Sequence, residues 1–412
     1  MRRTLQRRLS SLKGGTELGP LVVENGCSSL LPAAVQASGK MCVFVVGDTA
    51  AAEERAGRSL FELRKNGLLP STFVAQGLSP TCSNVDEGVA LARRVGASSV
   101  VAVGSGAVID TAKAIAALFA SSTSSKSHLM TPEAGLVKGG LPIGSAEQVI
   151  KGGLPCHVVP TTAGTGCAVT SLALINHPEE DMLCPLKSSD GKALAYTLPE
   201  HVLVDPVLCK SLPLDMTKAM ALTSLGGCLD ALVAVHKGQV CNDDDDIDML
   251  AREGLELVRE GMYLVQQERS NSRGRHALSA AAVLAGTLAS RRQGLQLRMM
   301  ALAAAAALPH IPYTQLYASL LPHSMEVFIS ALEKYEDGGG VRDLFRESLD
   351  WIEEEVGGAE DFAELVGDEL APDALSSTAD MFMALEDRYA TESCSTKRRT
   401  TSRPKPVCSS NQ

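Results

Sequence analysis

From about residue 20 to 205 the chain alternates short apolar runs with amphipathic helical stretches. The runs are Met41 to Val46, Ser71 to Val74, Ser98 to Val103, Cys156 to Val159 and His201 to Val204, most of them rich in Val and closed by Gly, Pro or Asp. A run that is apolar on both faces suits a strand covered from both sides. With intervening helices such as Val85 to Val95, the pattern predicts a parallel sheet in a doubly wound α/β domain. After Asp205 the strand pattern stops. Residues 213–390 are dominated by Ala, Leu, Met, Glu and Arg at helical spacing, and Ala301 to Ala307 offers side chains small enough for close helix approach. The second domain is therefore expected to be all helical. Its boundary falls near Val204-Asp205-Pro206. The expected organisation is a basic tail over 1–19, a dinucleotide-binding α/β domain over 20–205, a helical domain over 206–390 and a disordered tail over 391–412. The Ser-, Gly- and Lys-rich stretch from Ala120 to Gly153 reads as a loop.

Length and composition fit this division: 412 residues with 45% apolar content can fill two cores. The formal charge is −10, with basic residues gathered at the two ends, so the folded middle is acidic. That balance, with only 4% aromatic residues, argues against a nucleic-acid partner. The 11 Cys are scattered without CxxC pairs, and Cys42, Cys167 and Cys184 lie in stretches that look internal; they read as free thiols in a reducing compartment. No apolar stretch reaches the ~20 residues a membrane span needs. The expected location is the cytoplasm. The Arg- and Ser-bearing first 15 residues, which lack an acid, leave a mitochondrial transit peptide and the matrix as the alternative.

Two segments carry candidate chemistry. Val100 to Val103 runs directly into Gly104-Ser105-Gly106-Ala107 and on to Asp110 and Lys113. A strand ending in a glycine turn that opens a helix aims unpaired N–H groups and the positive helix end at one spot, which suits a pyrophosphate; a Cβ at the glycines would hold the phosphate away. Val158 to Pro160 runs into Thr161-Thr162-Ala163-Gly164-Thr165-Gly166-Cys167 and on to Thr170, a turn dense in hydroxyl donors for a phosphate or ribose. Each turn alone has a bland reading as an ordinary loop. Together they point to a dinucleotide.

The order of GSGAVIDTAK, PTTAGTGCAVT, LPEHVLVDPVL and GGCLDALVA resembles the iron-containing alcohol dehydrogenases, the group that includes glycerol dehydrogenases and maleylacetate reductases, from about Val22 to Met325. The resemblance implies their fold, shared with dehydroquinate synthase, with NAD or NADP in the cleft between the domains. It places the pyrophosphate on Gly104, Ser105, Gly106 and Ala107 and implicates Asp110, Thr161, Thr162, Thr165, Gly166 and Thr170 in the cofactor site. Asp48, closing the strand that starts at Met41, falls where family members often set an acid against the adenosine ribose. An acid there repels a 2′-phosphate, so NAD is favoured. The implied substrate is a small alcohol, carbonyl compound or oxo acid, and a homo-oligomer is possible.

The metal site departs from the family pattern, in which a divalent ion is held by an Asp, a His four residues later and two further His. Asp230 matches the first ligand. The other three positions carry Ala234, Arg298 and Tyr313. His236, six positions after Asp230, points to another face of the helix; His310 is out of register, and His323 follows Leu-Pro where a non-ligand His is common. A bound Fe or Zn ion is accordingly not expected. Arg298 could supply the missing positive charge by stabilising a substrate oxygen or gripping a carboxylate, or it could simply neutralise Asp230. Tyr313 could donate a proton if its pKa were lowered. Asn242 and the four Asp that follow lack the spacing of a calcium loop and read as a solvated helix N-terminus. Lys187 and Lys192 are candidates for a lysine near the ribose. Three readings follow: hydride transfer without metal, a catalytically silent dinucleotide-binding or assembly protein, and a cyclising synthase. The last is disfavoured, since it needs metal and a Lys-rich pocket.

Overall fold

The computed structural model describes residues 21–77, 79–129, 153–177, 182–186, 198–236, 244–291, 297–298, 301, 304–305, 308, 311–332 and 339–357. The two tails, Lys187, Lys192, Asn242 and most of the loop before Gly153 lie outside these residues, as does the expected helical stretch from residue 358 to 390.

The strands are β1 (Leu21–Val23), β2 (Met41–Gly47), β3 (Leu69–Ala75), β4 (Ser99–Gly104), β5 (Cys156–Pro160), β6 (Leu174–His177), β7 (Met182–Pro185) and β8 (His201–Val204). Six of them form one sheet in the order β1-β8-β5-β4-β2-β3 with every pairing parallel. All five apolar runs become strands of this sheet. The period-2 rule shows in how their side chains divide. Val43, Val45, Val100, Ala102 and Val158 enter one core cluster, while Phe44, Val46, Val101, Val103 and Val159 enter another. Helices α3 (Cys82–Val95) and α4 (Gly106–Leu118) cover the first face; α1 (Leu31–Ser38) and α2 (Ala50–Lys65) cover the second. The helix expected over Val85 to Val95 begins at Cys82, capped by Thr81 Oγ1 accepting from Asn84 N at 3.2 Å.

Strand β1 and the antiparallel hairpin of β6 with β7 were not among the expected strands. Three or four residues are too few to show a period. The end of the sheet is tied by Asp205, a buried carboxylate that accepts from Gly26 N at 2.8 Å, Ser28 Oγ at 2.6 Å and Val207 N at 3.1 Å.

Beyond Asp205 no strand occurs among the described residues. The helices are α5 (Leu214–His236), α6 (Asp244–Gln267), α7 (Ser272–Arg291), α8 (Tyr313–Leu332) and α9 (Gly339–Trp351). They pack around α5, whose segment from Ala219 to Leu232 is buried almost throughout. Helix α6 opens at Asp244, within the acidic run.

The two halves meet where the turn after β5 lies against α5 and α7. Ser224 Oγ donates to the Gly164 carbonyl at 2.9 Å, and Gly166, in a left-handed conformation with φ 65°, packs against Gly286. A Cβ on Gly286 would press into the Gly166 carbonyl and lie 2.7 Å from Val169 Cγ2. Gly286→Ala is therefore expected to cost about 1–3 kcal/mol, the usual cost of overpacking. A lower urea unfolding midpoint would show it, and an unchanged midpoint would mean that the turn can recede.

At the opposite end of the sheet His157 is fully buried, its Nδ1 3.0 Å from His201 Nδ1 and its Nε2 3.1 Å from Ser38 Oγ. Burial, helped by His201, pushes the His157 pKa down from its ordinary 6.5 to about 4. Between these values the unfolded chain holds a proton that the folded chain refuses. Stability should consequently fall as the pH drops from 6.5 to about 4, by at most about 1.4 kcal/mol per pH unit. Denaturation midpoints at pH 7 and pH 5 should differ less in His157→Gln than in the wild type; equal differences would remove His157 as the cause.

Candidate functional site

Strand β4 is buried along its whole length and ends at Gly104, where the chain turns through Ser105 into α4. Ser105 is the N-cap but makes no side-chain capping bond, so the first-turn N–H groups keep their donors for another partner. The second turn is held beside the first by Thr161 N donating to the Gly104 carbonyl at 2.9 Å. A Cβ on Gly106 would stand 3.4 Å from Cys167 Sγ and 3.6 Å from Thr165 Oγ1, so the two turns face each other across a narrow space. Strands β2 and β4 send their following helices to opposite faces of the sheet, and a crevice at such a point is where open α/β sheets bind ligands.

This space is a cavity of about 250 Å³. Ser105, Gly106 and Ala107 line one wall, and Thr162, Thr165 and Thr170 line another. Asp110 lies at its base, while Arg298 and Tyr313 close it from the helical side. Gly104 and Thr161 shape the turns behind the wall. Gly166 serves close packing against α7 rather than an approach to the cavity, which corrects its expected role. Asp48 stands exposed just past the end of β2, one strand away from the glycine turn, its Oδ2 accepting from Gly77 N at 2.8 Å. Cys42 and Cys184 are buried and in no disulfide; Cys167 instead borders the cavity.

Beneath the cavity lies a group that the sequence reading passed over as a candidate. Lys113 is completely buried, and its Nζ donates to the Leu172 carbonyl at 2.8 Å, to Asp110 Oδ1 at 3.4 Å, to Thr170 Oγ1 at 3.5 Å and to the Cys167 carbonyl. Asp110 Oδ2 also accepts from Leu174 N at 3.3 Å. Burial raises the Asp110 pKa, and the Lys113 charge opposes the rise. The legible signal was the Asp-x-x-Lys spacing, which puts both side chains on one face of α4.

On the helical side, Asp230 is buried in α5, and its two oxygens accept from Leu297 N at 2.9 Å and Arg298 N at 3.0 Å. Asp230 thus engages the main chain of Arg298, while the guanidinium Nη2 donates to the Thr165 carbonyl at 2.8 Å. The Tyr313 hydroxyl is buried without a hydrogen bond of normal geometry, with the Arg298 charge beside it. Burial pushes its pKa up to about 12 despite that charge. The lowering that proton donation by Tyr313 would need does not occur: loss of solvent disfavours the phenolate more than the guanidinium favours it.

Of the four positions where the family pattern sets metal ligands, Asp230 alone carries an acid or a His, and its two oxygens accept from Leu297 N and Arg298 N. His323 is exposed on α8, 3.7 Å from Glu326. His310 and the side chain of His236 lie outside the described residues. A dinucleotide pyrophosphate does fit, because the helix start offers free donors and Gly106 keeps the approach open.

Residues 20–206 match the family model of the iron-containing alcohol dehydrogenases. Alcohol dehydrogenase 4 of Saccharomyces cerevisiae strain YJM789 is 25% identical over 290 residues, which cover 70% of this chain and 68% of the yeast protein. The mitochondrial hydroxyacid-oxoacid transhydrogenase of Caenorhabditis elegans is 33% identical over 159 residues, 38% of this chain and 31% of the nematode protein. Among solved structures, the NADH-dependent butanol dehydrogenase A of Thermotoga maritima superposes with a TM-score of 0.68 at 17% identity, covering 90% of each chain. In its α/β part by sequence, and in its fold, this chain is similar to the iron-containing alcohol dehydrogenases.

Proposed function

We propose that this alcohol-dehydrogenase-like chain is an NAD(P)-dependent oxidoreductase that moves a hydride between a nicotinamide and a small alcohol or carbonyl compound, oxo acids included, without a metal. The carrying observation is the cavity itself: two glycine turns on one side, Arg298 and Tyr313 on the other. The N–H groups at the start of α4 would hold the pyrophosphate, and Thr162 and Thr165 would offer hydroxyls to the ribose or phosphates. When bound, the nicotinamide supplies the hydride chemistry.

The chain's own part is electrostatic and positional. Negative charge gathers on the substrate oxygen as a carbonyl is reduced, and a guanidinium held at a fixed place stabilises it without reorganising. Arg298 is held by its bond to Thr165 and has further donors for that oxygen or for a carboxylate. Tyr313, with its pKa near 12, keeps its proton at neutral pH and can donate a hydrogen bond to the same oxygen. Reduction is thus the direction these groups favour. Asp48 supports NAD over NADP, as an acid beside the adenosine ribose. The relatives named for NADH or for oxo acids agree with both parts of this reading. Among the described residues no helix is long and apolar enough to cross a membrane, and we place the chain in the cytoplasm or the mitochondrial matrix.

The rival is a catalytically silent binding or assembly protein. The engagement of both Asp230 and Arg298 with neighbouring backbone favours it.

Assayed with NADH and a panel of aldehydes and oxo acids, the purified chain is expected to turn over at least one substrate, unaffected by chelator. Arg298→Ala should lower kcat/KM by about 10²–10³, the usual loss of one oxyanion donor. Activity that chelator abolishes and Fe²⁺ or Zn²⁺ restores would overturn the metal-free reading. Micromolar NADH binding with no turnover would select the silent protein. Replacement of Asp48 by Ser should narrow the gap between NADH and NADPH affinity in calorimetry; an unchanged ratio would leave Asp48 as a turn residue alone.

A further inference from the structure

We propose that Asp230 is a positioning residue of this site, anchoring the backbone from which Arg298 reaches into the cavity. The inference rests on the reading of the cavity as a dinucleotide and carbonyl site. Asp230 sits in mid-α5 between the fully buried Leu229 and Ala231 and is itself 2% exposed. A carboxylate at that depth is costly unless its oxygens accept strong hydrogen bonds. Each oxygen takes one: Oδ1 from Leu297 N at 2.9 Å and Oδ2 from Arg298 N at 3.0 Å. Bonds from a charged acceptor to two successive main-chain N–H groups fix the position and the direction of that backbone.

The root of Arg298 is therefore fixed from α5. Its tip is fixed independently, by the bond from Nη2 to the Thr165 carbonyl in the turn after β5. A planar guanidinium held at both ends has one orientation, so its remaining donors meet the cavity beside Tyr313 at a set angle. Asp230 is not among the residues lining the cavity; it acts on a ligand through the residues that do, by holding the backbone of Arg298 and by its charge near Tyr313. In Asp230→Asn the side chain keeps its shape but presents an NH₂ to one of the two N–H groups. One bond is lost and two donors face each other, so the root of Arg298 loosens.

The test titrates oxamate, an isostere of a small oxo acid, into the NADH complex of the full chain by calorimetry. Wild type, Asp230→Asn, Arg298→Gln and the double variant are compared, with NADH affinity measured first for each. NADH affinity should agree within about twofold across the four, while oxamate affinity falls by about tenfold or more in each single variant. The double variant should be no weaker than Arg298→Gln, because an anchor has no effect once its cargo is gone. Losses that multiply in the double variant would give Asp230 a merely structural role, and undiminished oxamate binding by Asp230→Asn would remove its role altogether. Either result overturns the proposal, as would a wild-type NADH complex that does not bind oxamate, or stoichiometric Zn²⁺ bound by the wild type and lost in Asp230→Asn. A wild type that fails to bind NADH would overturn the dinucleotide reading, and this proposal with it.

Discussion

The buried ammonium of Lys113 sets the terms for the rest of the site. An amine with no solvent exposure must find acceptors inside the protein, and it finds them on α4 and on the segment from Cys167 to Leu172. Lys113 itself stands on the helix that the glycine turn opens, and the acceptors from Cys167 to Leu172 lie at the end of the threonine turn. Satisfying one charge therefore fixes the distance between the glycine turn and the threonine turn, since any separation would strand a cation in low dielectric. The Gly166 and Gly286 contact extends the constraint to α7. In this way the α/β half, its second turn and the helical half share one rigid wall.

Against that wall the charges are arranged in series. Asp110 faces Lys113 at the base of the cavity, Arg298 enters from the other side, and Asp230 lies behind Arg298. Each carboxylate is occupied by donors of the protein itself. This arrangement leaves the guanidinium as the group that addresses the open space, beside a phenol that burial keeps protonated.

Much of the α/β architecture was legible in the chain. Runs such as Val100 to Val103 are apolar on both faces, and only a strand covered on both sides can bury them. The glycine turn after β4 was visible because Gly104 and Gly106 follow a strand and precede a helix. The pairing of β6 with β7 and the short β1 were not legible, since so few residues show no period. Lys113 was visible as a residue but not as a buried one, because burial of an ammonium depends on carbonyls some 54 to 59 residues away in the chain. The direction of the Tyr313 pKa shift was not legible for a related reason: the sequence says nothing of how much water is lost.

What the sequence by itself determined is the five apolar strands of the parallel sheet, the two turns and the departure at Ala234, Arg298 and Tyr313. These follow from local period, turn chemistry and residue identity, which act over a few positions. Tertiary structure alone decided that Asp230 holds the backbone of Arg298, that Lys113 ties the two turns together and that Gly166 serves packing. Those outcomes depend on which groups meet across large sequence separations, and a hydrogen bond's direction and a charge's loss of water exist only once the chain has folded.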